Sequence, residues 1–168
     1  MTMDKARDVC CEMILQRNWT IEKKDEQIVG KTDNSVKYMV FFVSGQKLNI
    51  MNVKECIRIL TDNDINYSIL VYYDSITSSA KNALYDLPNI TFELFAQDYL
   101  QFNITKHQYA FPHIKLNDKE KEEFIKKVGN DIPILLKSDP MCRFYNFDKG
   151  DIIKVIRKNN YVSYRIVK

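Results

Sequence analysis

Two uninterrupted apolar runs, Lys37 to Val43 (KYMVFFV) and Tyr67 to Tyr73 (YSILVYY), constrain the fold of this chain more than any other stretch. Successive side chains of a strand point to opposite faces, so a run without polar alternation needs cover on both sides. Between the two runs, Val53, Cys56, Ile57 and Leu60 fall on one helical face that ends near Asp62-Asn63. Asn52 and Glu55 have the spacing of a capping box at its start. Strand, helix, strand with both strands buried calls for a right-handed crossover and a parallel pair. The expected N-terminal architecture is therefore a small α/β sandwich with helices over a short sheet.

The flanking residues extend this pattern. Ala6, Val9, Cys10, Met13, Ile14 and Arg17 recur at helical spacing and predict an amphipathic leading helix. Asn18 to Asn34 is polar and turn-rich. After Asp74-Ser75, a helix is expected from Thr77–Ala80 to Asp86, stopped by Leu87-Pro88-Asn89. Ile90 to Phe95 reads as a third strand and Ala96 to Gln101 as a short helix. The passage Asn103 to Lys115 holds both histidines and Pro112, and is read as a domain joint. Beyond it, Asn117 and Glu120 repeat the capping-box spacing. Phe124, Ile125 and Val128 then give a weakly amphipathic helix ending at Gly129, whose alternating Lys and Glu residues make a solvated face.

The stretch Ile132 to Lys168 reads as strand, one-turn helix, turn and hairpin. Ser138-Asp139-Pro140 offers an N-cap followed by Pro at the first helical position. Lys149-Gly150 provides a turn, with Gly150 as a backbone requirement. Asn159-Asn160, between the strands Ile152–Ile156 and Tyr161–Val167, suits a turn with φ > 0. Arg143, Lys149, Lys154, Arg157, Lys158 and Arg165 interleave with Phe144, Tyr145, Phe147, Tyr161 and Tyr164. This is either a solvated basic hairpin or a cationic, aromatic interface. The split after Lys106 puts 12 basic and 14 acidic residues before it and 13 basic and 8 acidic after it. Positive charge therefore belongs to the C-terminal part, and the N-terminal part is unsuited to coating duplex DNA.

Several chemistries lack their residues. A nuclease of the restriction-endonuclease type needs carboxylates at strand ends to hold Mg²⁺ and a nearby Lys. Neither apolar run contains an acid, and Asp74 stands alone at a strand end. Walker and GxGxxG loops are absent, and no Cys lies at zinc-ligand spacing from His107 or His113. Cys10-Cys11, Cys56 and Cys142 form no disulfide framework and read as reduced thiols. No signal-peptide region is apparent, and no apolar run approaches the ~18 residues of a membrane span. No catalytic residue, metal or cofactor is expected.

From Ile132 to Arg165 the chain resembles a known family. Ile132-Pro133, Asp139-Pro140, Arg143-Phe144-Tyr145, Lys149-Gly150, Ile152 to Arg157 and Ser163-Tyr164-Arg165 follow, in order, the pattern of the C-terminal half of the fifth subunit shared by eukaryotic nuclear RNA polymerases. The same stretch is similar to the small archaeal RNA polymerase protein that corresponds to that half. Asn103 to His107 and His113 to Leu116 resemble the family's joint, and Ser75 to Ala80 its helix start; before Lys37 the likeness is a leading helix followed by Trp19. Departures are Ser78 where the family has Pro, Pro112 one place late, and a final hairpin loop shortened to Asn159-Asn160.

The resemblance implies a non-catalytic subunit of a multisubunit DNA-directed RNA polymerase. It implies a nuclease-like jaw domain over residues 1–103, lying near downstream duplex DNA, and a small α+β assembly domain over 104–168, docking on the largest subunit. The subunit interface is expected at His113, Asp139, Pro140, Arg143, Tyr145, Lys154, Arg157, Tyr164 and Arg165. Thr77, Ser78, Ser79 and Lys81 are the DNA-proximal candidates, since helix N-termini hold phosphates; equally, Thr77 or Ser78 simply caps its own helix. A free-standing nucleic-acid-binding module using the basic hairpin is the alternative. The Ile, Lys and Asn bias, with an N-terminal part shorter than in cellular relatives, fits a large DNA virus or a divergent eukaryote. Expected localisation is the nucleus for a cellular protein, and host cytoplasm or virion for a viral one.

Overall fold

The computed structural model describes residues 2–45, 47–129 and 131–168. The chain divides into two compact units, residues 1–102 and 103–168, both of mixed α and β structure.

The first unit runs α1 (Met3–Gln16), β1 (Thr20–Lys24), β2 (Ile28–Lys31), β3 (Lys37–Val43), β4 (Lys47–Leu48), α2 (Ile50–Asp62), β5 (Tyr67–Tyr72), β6 (Ser75–Ile76), α3 (Ser78–Tyr85), β7 (Thr91–Ala96) and a 3₁₀ turn at Gln97–Leu100. Its main sheet has the order β1-β2-β3-β5-β7. The two apolar runs pair in parallel from Tyr38↔Tyr67 to Val43↔Tyr72, with α2 as the crossover, and β7 adds a third parallel strand. Met39, Phe41 and Leu70 from the sheet pack with Val53, Cys56 and Leu60 of α2 and with Ala80 and Leu84 of α3. The one polar side chain inside these runs, Ser68, donates to Met39 O at 3.0 Å and so is satisfied where it is buried.

The polar, turn-rich stretch Asn18 to Asn34 holds the antiparallel pair β1 and β2, and β2 continues antiparallel onto β3. Helix α2 starts one turn earlier than Asn52 indicated, with Asn49 as N-cap and Asn52 completing a reciprocal box in the role assigned to Glu55. Glu55 instead faces solvent and pairs with Arg58 at 2.7 Å.

Gly30 is required by a close approach. A Cβ there would lie 1.8 Å from Thr20 O, the atom to which the buried Tyr38 hydroxyl donates at 2.9 Å. Around Tyr38, Trp19 packs at 5.1 Å, and Arg17 lies 4.9 Å over the Trp19 ring. Arg17 makes a two-pronged ion pair with Glu93 of β7, Nη1 to Oε1 at 2.7 Å and Nη2 to Oε2 at 2.9 Å. The two side chains are 1% and 14% exposed, and Tyr67 donates its hydroxyl to the same carboxylate.

The second unit runs from a 3₁₀ turn at Ile104–Lys106 through β8 (His113–Lys115), α4 (Asp118–Val128), β9 (Ile134–Leu135), α5 (Pro140–Tyr145), β10 (Ile152–Ile156) and β11 (Val162–Val167). Its sheet has the order β8-β10-β11-β9, antiparallel except for the parallel β11–β9 pair. The expected joint thus contributes β8 to this sheet. Leu135, Cys142, Phe147, Ile153, Val155 and Val167 form the core of the unit.

Two measurements check the first unit. Gly30→Ala forces backbone apart and is expected to cost about 1–3 kcal/mol in denaturant unfolding. Arg17→Met leaves the Glu93 carboxylate uncompensated and is expected to cost about 3–5 kcal/mol, with the Arg17→Met/Glu93→Leu double variant recovering much of the loss.

Candidate functional site

The stretch from Asp139 to Arg165 is assembled from local signals that hold one another in place. The Asp139 carboxylate accepts from Met141 N at 2.8 Å, and Pro140 occupies the first turn of α5 without losing a needed donor. Asn146 ends the helix in the left-handed region (φ 53°), returning the chain so that Phe147 N reaches Cys142 O at 3.1 Å. Gly150 follows at φ +90°, with its N–H on Val167 O at 2.9 Å, which seats the turn against the final strand. The Asp151 side chain accepts from Asp148 N at 2.7 Å and pairs with Lys115 at 2.9 Å.

Strand pairing decides which side chains share a face, because directly opposed residues project the same way. Lys154 lies opposite both Tyr164 and Ile114. Tyr164 packs on Phe124 of α4 at 4.3 Å, and Lys154, Ile114 and Glu123 join them around a groove of about 330 Å³. Arg165 and His113 project from the opposite face: Arg165 lies opposite Ile153, and His113 opposite Val155, both core residues. Arg165 Nη1 donates to Ile134 O at 3.1 Å, and His113 Nδ1 lies 2.7 Å from Phe111 O.

The expected interface residues therefore divide into three places. His113, Asp139, Pro140, Tyr145 and Arg165 belong to the α5 side, Lys154 and Tyr164 to the α4 side, and Arg157 to the hairpin tip. Arg143 sits half-buried in α5. The interleaved aromatics divide as well. Phe144 and Phe147 are core residues at 4% and 6% exposure, whereas Tyr161 projects into solvent at 65%. Tyr145 stacks on Phe147 at 5.3 Å, and partial burial pushes its phenol above the ordinary value. Sequence reading missed Phe111, which lies under Arg157 with 6.0 Å from guanidinium to ring centre, and Tyr109, which lies under Lys158 at 5.9 Å. Only their position before a strand that pairs with β10 brings them there.

In the first unit, Thr77 is the N-cap of α3 and accepts from Ala80 N at 3.3 Å. Ser78, Ser79 and Lys81 are exposed on the first turn, which carries no acid. Thr77 N donates to Leu48 O at 3.0 Å, tying the start of α3 to the small β4–β6 sheet.

Among the described residues, no group of three or more His, Cys, Asp and Glu converges as a metal site. No described helix is long and apolar enough to cross a membrane. The four thiols are buried and free; burial pushes Cys56 up to about 12 and raises Cys10 and Cys142, so none of these three is an activated nucleophile.

The family model described as RNA polymerase Rpb5, C-terminal domain, matches residues 102–167, the span that contains the arrangement from Asp139 to Arg165. A Dictyostelium discoideum protein named DNA-directed RNA polymerases I, II, and III subunit rpabc1 is 32% identical over 148 residues, covering 82% of this chain and 75% of that protein. This chain belongs to the Rpb5 family. A putative DNA-directed RNA polymerase subunit of Invertebrate iridescent virus 6 is 28% identical and aligns over 98% of both chains. A subunit 5-like protein of Arabidopsis thaliana is 27% identical over 96% of this chain and 93% of its own length. The similarity to whole Rpb5-family proteins includes the first unit, and one relative is virus-encoded.

Asp139→Ala removes the α5 cap and is expected to lower stability by about 1 kcal/mol, read as a shift of the thermal midpoint.

Proposed function

We propose that this chain is a non-catalytic structural subunit of a multisubunit DNA-directed RNA polymerase, with residues 104–168 docking on the largest subunit. The observation that carries the reading is the capped helix, Gly150 turn and hairpin from Asp139 to Arg165, all inside the span matched by the Rpb5 C-terminal family. Arg and Tyr side chains held on a packed sheet are the residue types that contribute most at protein interfaces. Holding them by a cap, a left-handed turn and a cross-strand register limits the ordering cost on association.

Residues 1–103 act in this reading as a jaw beside downstream duplex DNA. The first turn of α3 supports it: the N–H groups of a helix start suit a phosphate, and Ser78, Ser79 and Lys81 are exposed there. The Thr77 hydroxyl is engaged in capping, so its part is to fix the helix start and not to hold DNA directly. Relatives include subunits of cellular eukaryotes and one encoded by a virus, so the setting in this reading is the nucleus for a cellular protein and host cytoplasm or virion for a viral one.

Co-expression with the largest polymerase subunit tests the docking. Co-elution of the two chains on size exclusion is expected, and separate elution would overturn the reading. A free-standing nucleic-acid binder is distinguished by steep salt-dependent binding of duplex DNA by the isolated chain.

A further inference from the structure

Residues 103–117 and 152–168 contain no Asp or Glu, yet together they carry Lys106, Lys115, Lys154, Arg157, Lys158, Arg165 and Lys168. The fold places these two acid-free stretches side by side. β8 pairs with β10, and Ile156 N donates to Pro112 O at 3.1 Å, so the loop ahead of β8 runs alongside the hairpin tip. There Arg157 lies over the Phe111 ring and Lys158 over the Tyr109 ring. His107 packs against Tyr109 at 5.7 Å and accepts from Tyr109 N through Nδ1 at 3.3 Å. The tip itself is fixed, with Asn159 and Asn160 both in the left-handed region and Arg157 N on Tyr161 O at 2.8 Å.

Arg157 and Lys158 have no carboxylate partner among the described residues, and both are exposed. Elsewhere in this unit Lys115 and Lys137 are ion-paired. A pair of unneutralised cations, held in place by aromatic rings beneath them, is a preorganised receptor for carboxylates. The rings also discriminate between classes of anion. A single-stranded nucleic acid would stack its bases on open aromatic faces, but the Tyr109 and Phe111 faces carry the protein's own cations. What remains outward is the two cationic heads with the Tyr161 ring, 65% exposed, beside them.

We infer that the tip formed by Arg157, Lys158 and Tyr161, with Tyr109 and Phe111 behind it, is the docking point for an acidic segment of a protein partner. The inference rests on the assembly reading and adds to it the chemistry of the partner at this spot. Arg157 forms a forked pair with one carboxylate, Lys158 takes a neighbouring one, and Tyr161 covers the pair against water.

The test measures binding of the full chain to a fluorescent oligoglutamate, to a short duplex DNA and to a single-stranded oligonucleotide, at equal ionic strength. Oligoglutamate is expected to bind most tightly. Arg157→Ser/Lys158→Ser is expected to weaken it about tenfold, the loss of one to two close charge pairs. The control Lys126→Ser/Lys127→Ser, on exposed α4 positions, is expected to leave it nearly unchanged. Tighter binding of either nucleic acid overturns the inference, as does equal weakening by both double variants, which would mean diffuse charge. An unchanged thermal midpoint of the tip variant excludes misfolding as the cause. In a second arm, the complex with the largest subunit is challenged with salt. If the tip variant stays bound to the same salt concentration as the native chain, assembly stands and this inference falls. If the native chain never co-elutes, the assembly reading itself falls.

Discussion

The first unit depends on one buried ion pair. Arg17 ends α1, and Glu93 lies in the middle of the edge strand β7, so their two-pronged contact joins the chain's first helix to the last strand of its sheet. Burying both charges is costly, and the cost is offset by hydrogen bonds that pair the two groups directly. The carboxylate takes both guanidinium prongs and the Tyr67 hydroxyl, while the Trp19 ring covers the other side of the guanidinium. Trp19 in turn meets Tyr38 and Tyr67, from the two central parallel strands. Gly30 is part of the same arrangement, since it lets the Tyr38 hydroxyl cross β2 to reach β1.

In the second unit the equivalent constraint is geometric. Gly150 and Asn146 adopt positive φ at the two ends of the link between α5 and β10, and Asn159 and Asn160 do so at the hairpin tip. These positions set the register in which Lys154 faces Tyr164 and Arg165 faces Ile153. A shift by one residue would send Lys154 into the core and Ile153 to the α4 side. The distribution of charge over the two faces is thus a consequence of backbone conformation at a few turn residues.

Much of this was legible locally. The apolar runs gave the parallel pair and its crossover, and Asn117 with Glu120 forms the expected capping box. Asp139-Pro140 starts α5, and the two asparagines make the turn. What escaped was structure held by partners instead of by pattern. β1 reads TIEKK and is almost wholly exposed, so it has no buried face to signal it and exists through its pairing with β2. β8 has only three residues and takes its strand character from β10. Asn49 and Asn52 are both good caps three residues apart and each has a residue at box spacing, so the local pattern left the start open and the folded chain takes Asn49.

The sequence by itself determined the elements with strong periodicity, the turns that need Asn, Gly or Pro, the charge excess of the C-terminal part and the likeness to the Rpb5 family, because each of these is written in neighbouring residues. Only the tertiary structure decided that Arg17 meets Glu93, 76 positions along the chain. It alone separated Phe144 and Phe147 as core from Tyr161 as surface, and brought Tyr109 and Phe111 beneath Lys158 and Arg157. Those outcomes depend on which strands lie next to each other, and strand order is fixed by packing across the whole unit, not by any local run of residues.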